Sequence, residues 1–137
     1  PVMKTCLVVE DSPLIREITA RLLRDLGFSP REASRAIEGV AECKHATPDI
    51  VLLDWDLPNM EALDFLKGVA ELAPEQRPII ILCATEYDQQ QFTLARAAGA
   101  AHVLMKPYDS HAVAEKFAEI GLIARSNTVS LADRAVS

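Results

Sequence analysis

A chain of 137 residues, half of them hydrophobic and a quarter charged, is long enough to close one core and too apolar to stay disordered. Its net charge of -6 comes without any cluster of Lys and Arg, which excludes the basic face that a nucleic-acid binder needs. No apolar run reaches the roughly 18 residues of a membrane span and no basic-then-apolar leader opens the chain, so neither a membrane nor a secretory role is expected. Cys6, Cys43 and Cys83 are widely spaced with no C-x-x-C, which argues against a zinc site or a disulfide framework and for reduced thiols in the cytoplasm.

Taken in chain order, "TCLVV" (Thr5–Val9) is a short buried-strand candidate. Ser12 followed by Pro13 is a helix start, with Ser at the N-cap and Pro in the first turn. Leu14, Ile15, Ile18, Leu22 and Leu26 follow at helical spacing until Gly27 stops the helix, with Glu17, Arg21 and Asp25 as i,i+4 partners on its outer face. The second strand, 28–33, contains Pro30, which lacks an N–H and therefore belongs at a sheet edge. Residues 35–46 read as a helix, "DIVLLDW" as the third strand, 60–72 as a helix and "PIIILCA" as the fourth strand. Residues 88–98 form a helix ended by Gly99, "AHVLM" a fifth strand, and 110–123 the last helix.

The pattern is (βα)₅. Strands without polar alternation are buried on both faces, which marks a parallel sheet covered by helices. In such sheets functional groups gather at the carboxyl ends of the strands. Those ends carry Glu10 and Asp11, then Asp54 with Asp56 just beyond, then Ala84 and Thr85, then Lys106 before Pro107. A single acid at a strand end is ordinarily a cap or a loop residue. Acids at two strand ends with a lysine at a third form a constellation. Clustered carboxylates repel one another, and a hard cation with oxygen ligands, Mg²⁺, resolves the repulsion. A lysine opposite the cation completes a clamp for a phosphoryl group. His45, His102 and His111 are scattered and lack metal-ligand spacing.

"LVVEDS", "VLLDWDLPNM" and "AAGAAHVLMKPYD" resemble the receiver domains of two-component response regulators, over about residues 3–123. The likeness is nearest to single-domain CheY-like regulators of chemotaxis type, and "CATEYD" and "KFAEIGLI" resemble an alphaproteobacterial subgroup of them. The resemblance implies a flavodoxin-like, doubly wound parallel sheet of strand order 2-1-3-4-5 over residues 1–124, with 125–137 as a C-terminal tail and no output domain. It implies that Asp54 is the phosphoacceptor for a sensor histidine kinase or phosphotransfer protein, and that the domain only assists its own phosphotransfer and dephosphorylation. Asp11, Asp54 and the backbone carbonyl of Asp56 would hold Mg²⁺, with Glu10 acting through water. Lys106 would pair with the phosphoryl oxygens and be joined to Pro107 by a cis peptide. Output would pass to a protein target through the face of the fourth helix, fifth strand and fifth helix, around Arg96, His102, Val103 and Tyr108, in a monomer or weak dimer.

The sequence departs from that family at positions that matter. Where the family has Ser or Thr at the end of the fourth strand, this chain has Ala84, and Thr85 would serve only if the strand end turns. The family's Tyr or Phe on the fifth strand is Val103, short and stiff at χ1, with Tyr87 as a distant substitute. The Asp-Gly that often follows the third strand's loop is Glu61-Ala62, which predicts an ordinary helix start. Asp56 either tunes the lifetime of the phosphoryl group or is a solvated loop acid. The departures also keep open a phosphate sink or an adaptor that works without phosphorylation. A haloacid-dehalogenase-type phosphatase, to which "DWD" bears a likeness, would need the motif on the first strand.

Overall fold

The computed structural model describes residues 3–124; the expected tail, 125–137, lies outside the described residues. Its elements are β1 (Thr5–Val9), α1 (Pro13–Asp25), β2 (Ser29–Ala33), α2 (Ala36–His45), β3 (Ile50–Asp54), α3 (Glu61–Ala70), β4 (Ile79–Ala84), α4 (Gln89–Ala97), β5 (His102–Met105) and α5 (Ser110–Ile120). Single 3₁₀ turns, Pro58–Met60 and Pro74–Gln76, precede α3 and β4. Every strand pairing is parallel, in the order β2-β1-β3-β4-β5, as expected for this doubly wound architecture. The chain through Pro107 forms one compact unit and the segment from Tyr108 another.

In the first unit, β3 is the middle strand and all five of its residues are buried. One face of the sheet, Leu7, Val9, Val51, Leu53, Ile80 and Leu82, shares a core with Ala36 and Cys43 of α2, Phe65, Leu66 and Val69 of α3, and Phe92 and Ala95 of α4. Alternate strand residues, Cys6, Val8, Ile50, Leu52, Ile81 and Cys83, point to the other face and are buried as well, which is why the strands read as continuous apolar runs. Gly39 allows α2 and α3 to approach closely. A Cβ there would stand 2.8 Å from the Phe65 ring and 3.1 Å from Val9.

Pro30 lies in β2 at the sheet edge, opposite Cys6, so its missing N–H costs no ladder bond. Arg31, next to it, donates to the carbonyls of Glu42 and Ala46 and to the Glu42 carboxylate, which satisfies acceptors at the C-terminal end of α2. Burial pushes the thiol of Cys43 up to about 11 and those of Cys6 and Cys83 higher still, so the three free cysteines stay protonated at neutral pH.

Helix α1 begins as expected, with Ser12 accepting from the Ile15 amide at 3.2 Å. Its buried face differs from the apolar stripe in the sequence. Thr19, Ala20 and Leu23 are buried, whereas Leu14 is 63% and Ile18 54% exposed and Ile15 is exposed too. Small residues let α1 lie close to β1 and β2, and the larger apolar residues before them are left outside. Arg21 pairs with Glu17 at 3.8 Å, and no ion pair to Asp25 forms among the described residues.

Helix α3 starts at Glu61, as Glu61-Ala62 predicted, but the chain reaches it through two left-handed residues, Asn59 at φ 57° and Met60 at φ 58°. Asn tolerates that region and Met does so only with strain. In the second unit, α5 is capped by the Asp109 carboxylate on the Ala112 amide, buries Val113 and Phe117, and ends earlier than the sequence pattern suggests, at left-handed Gly121.

Candidate functional site

The carboxyl ends of β1, β3 and β5 lie along one edge of the parallel sheet and place four charged groups together. β1 runs into Glu10 and Asp11, with the Glu10 amide held on the Ala33 carbonyl at 3.0 Å. β3 ends on Asp54, and the next amide, that of Trp55, donates to Cys83 at 2.8 Å. β5 runs into Lys106, whose amide donates to the Ala84 carbonyl at 2.7 Å before a cis Lys106–Pro107 bond. The site therefore hangs on sheet ladder bonds, and its side chains are positioned by strand register.

Glu10 is 5% and Asp54 4% exposed, while Asp11 is exposed. One carboxylate oxygen from each of the three lies within 4.8 Å of the others. The Lys106 ammonium sits between two of them, 3.1 Å from Asp54 Oδ1 and 3.3 Å from Glu10 Oε1. Glu10 Oε2 accepts from the Ser12 amide at 3.0 Å, and Asp54 Oδ1 accepts also from the Asp56 amide at 3.0 Å.

Burial raises the Glu10 carboxyl above its ordinary value, with the Asp54 charge adding to the rise and the Ser12 amide and Lys106 opposing it. Burial works against the Lys106 ammonium, but the hydrogen bond and charge of Asp54, joined by Glu10, outweigh it, so Lys106 is raised and stays protonated. Three carboxylates against one ammonium leave the pocket short of positive charge. The all-oxygen donor set, partly open at Asp11, suits a hard divalent cation.

Asp11, Asp54, Glu10 and Lys106 are thus brought together. The Asp56 carboxylate turns away from the cluster: its Oδ2 accepts from both the amide and the hydroxyl of Thr85, each at 3.2 Å. The Thr85 hydroxyl is accordingly directed at Asp56, while Ala84 is buried at the end of β4 and Val103 packs against the core. Tyr87 is exposed and stands edge-on to Phe92, with ring centroids 5.0 Å apart.

Arg16 and Gln91 carried no signal in the sequence, and the capping role of Glu61 was not read from it. Arg16 donates to the Glu10 carbonyl at 2.8 Å and pairs with Glu32 at 3.3 Å. Gln91, in the first turn of α4, accepts from the Trp55 indole N–H at 2.7 Å. Glu61 accepts from the Ala36 amide at 3.0 Å and so caps α2 from the start of α3.

The model of the response regulator receiver domain matches residues 6–118. Chemotaxis protein CheY-3 of Vibrio cholerae is 32% identical over 116 residues, covering 83% of this chain and 88% of the relative. The crystal structure of CheY4 from the same species superposes with a TM-score of 0.80 at 26% identity, over 87% of this chain and 99% of that one. At fold level alone, the receiver domain of the Pseudomonas aeruginosa sensor histidine kinase PA1611, whose structure holds a magnesium ion in its active-site cleft, gives a TM-score of 0.76 at 21% identity, over 86% of this chain and 97% of that one. With the family model matching residues 6–118 and the fold agreeing with the solved structures, the chain belongs to the response regulator receiver domain family and is a signalling domain of CheY-like type.

Proposed function

We propose that the protein is a phosphoacceptor switch. Asp54 takes a phosphoryl group from a phosphohistidine, on a sensor histidine kinase or a phosphotransfer protein, with Mg²⁺, and the change is passed on through protein contacts. The observation that carries this reading is the buried Asp54 carboxylate at the tip of the middle strand, 3.1 Å from Lys106 and clustered with Glu10 and Asp11.

In the reaction a carboxylate oxygen of Asp54 attacks phosphorus. The O–P bond forms as the P–N bond to the donor imidazole breaks, the imidazole leaves with the electron pair, and the product is an acyl phosphate. Catalysis here is positioning and charge neutralisation. The β3 ladder fixes Asp54, and Lys106 faces the charge that develops on the phosphoryl oxygens. Glu10 and Asp11 would hold Mg²⁺ with Asp54 and the Asp56 carbonyl, Glu10 through water. When bound, the ion supplies the positive charge that the pocket lacks. The magnesium in the PA1611 cleft supports this assignment.

The exposed Leu14, Ile15 and Ile18 on α1, which starts two residues beyond Asp11, offer an apolar surface for the phosphodonor. Exposed Leu94 and Arg96 on α4 and Met105 on β5 offer a mixed apolar and cationic surface for a downstream target. The chemotaxis relatives support a protein as that target. Among the described residues no helix is long and apolar enough to cross a membrane.

A cognate kinase or labelled acetyl phosphate should label the protein, and Asp54→Ala should remove the label; label that persists in the variant sinks the assignment. Mg²⁺ should also raise stability by RT ln(1+[Mg²⁺]/Kd), about 1–2 kcal/mol at about ten times Kd. A thermal melt that does not move at millimolar Mg²⁺ contradicts the metal assignment.

A further inference from the structure

Glu10 and Asp11 leave the sheet at the end of β1, and hydrogen bonds hold both peptide groups of Glu10. Its amide donates to the Ala33 carbonyl at 3.0 Å, and its carbonyl accepts from Arg16 Nη1 at 2.8 Å. Its carboxylate accepts from the Ser12 amide at 3.0 Å. A peptide group is planar, so a bond that holds its carbonyl also holds the nitrogen and Cα that follow. The tie from Arg16 to the Glu10 carbonyl therefore sets the Cα of Asp11 and the direction in which that exposed side chain leaves the backbone.

Arg16 lies in the first turn of α1, with its own amide on the Ser12 carbonyl at 2.9 Å. Its side chain is only 19% exposed, and its Nε pairs with Glu32 at 3.3 Å. Glu32 and Ala33 are the last two residues of the edge strand β2. They hold Glu10 from two sides, Ala33 directly and Glu32 through Arg16. A guanidinium presents its donors as a rigid fork, so a carboxylate on one edge aims the other edge; an ammonium on a flexible stem is a single point charge without that geometry. The Glu32 side chain is 41% exposed, and an ion pair so open to water adds little stability, which leaves orientation as its consequence.

Resting on the reading of Glu10 and Asp11 as Mg²⁺ ligands, we infer that Arg16, aimed by Glu32, is a positioning residue for that ligand pair. The sign of its effect separates positioning from charge. The guanidinium is a cation beside an acidic pocket, so its field alone opposes a divalent ion, and its removal would tighten binding. Loss of the peptide anchor acts the other way. It frees the Glu10–Asp11 peptide to turn and lets the Asp11 carboxylate leave the cluster in which the three acids lie within 4.8 Å of one another.

Calorimetric titration of the full chain with Mg²⁺ at fixed ionic strength tests this, with urea denaturation of the metal-free protein reporting stability separately. Arg16→Met should raise the Mg²⁺ Kd about 10–100-fold, the range for losing a group that orients a metal ligand. Arg16→Lys, which keeps the charge and loses the fork, should lose most of the same affinity. Glu32→Gln keeps an oxygen acceptor for Nε and should bind like the parent. Glu32→Ala should weaken binding, and should change nothing further when added to Arg16→Met. A lower urea midpoint with an unmoved Kd in the folded variants would show a purely structural role and overturn the inference. A Kd that falls in Arg16→Met, or that Arg16→Lys restores to the parent value, overturns it as well. Should Arg16→Met fail to fold, Arg16→Lys and Glu32→Ala decide the matter by the same titration. A parent that takes up no Mg²⁺ overturns the metal assignment and the inference with it, whereas a parent and variants that bind equally overturn the inference alone.

Discussion

Lys106→Met should slow phosphoryl transfer to Asp54 by about 10²–10³-fold, the loss that follows removal of one preorganised donor from a charge-stabilising site. The ammonium lies 3.1 Å from Asp54 and faces the charge that builds on the transferring group. The same change should destabilise the metal-free protein. Glu10 and Asp54 are buried and would face each other without their shared cation, which costs about 3–5 kcal/mol when both stay ionised.

The pH dependence of that loss has a definite sign. Glu10 is already raised above its ordinary 4.5, and removing Lys106 takes away one of the influences that lower it. A carboxyl raised in the folded state favours folding below its unfolded pKa and loses that contribution as pH rises through the folded value. The deficit of Lys106→Met relative to the parent should therefore be larger at about pH 7.5 than at about pH 5. Urea denaturation at both values checks it; equal deficits would mean that Glu10 does not sense Lys106.

Phe65→Ala should cost about 3–5 kcal/mol of stability with little change in the urea m-value. Phe65 is fully buried on α3, and its ring fills the space that Gly39 leaves open on α2. The neighbourhood is closed by the sheet residue Val9 and by Leu66 and Val69, so the cavity cannot collapse without moving α2. A loss below about 1 kcal/mol would show that α2 and α3 close over the gap.

The sheet was legible because its strands are buried on both faces and read as unbroken apolar runs, from Leu7 to Val9 and from Ile50 to Leu53. Pro30 announced the edge by the bond it cannot make. The charged cluster was legible because the carboxyl ends of strands distant in sequence share one edge of a parallel sheet, where polar groups can gather. The buried face of α1 was not, since periodicity counts apolar residues and does not weigh the room that Thr19 and Ala20 give a helix close to the sheet.

The left-handed turn at Asn59 and Met60 was equally hidden, because Met gives no sign of it. The direction of the Asp56 carboxylate depends on one rotamer and on a partner, Thr85, 29 residues away. Sequence left that acid between a tuning role and a solvated one; its bonds to Thr85 and Asp54 make it a bridge.

Asp54 is, on this reading, the residue that carries the phosphoryl group. Labelling with acetyl phosphate and Mg²⁺, trapping with borohydride and sequencing the peptide that spans β3 tests it most directly, since reduction of an aspartyl phosphate converts that aspartate to homoserine. Homoserine is expected at position 54, with aspartate retained at positions 11 and 56. Homoserine at either of those two positions, or label with position 54 unchanged, would contradict it.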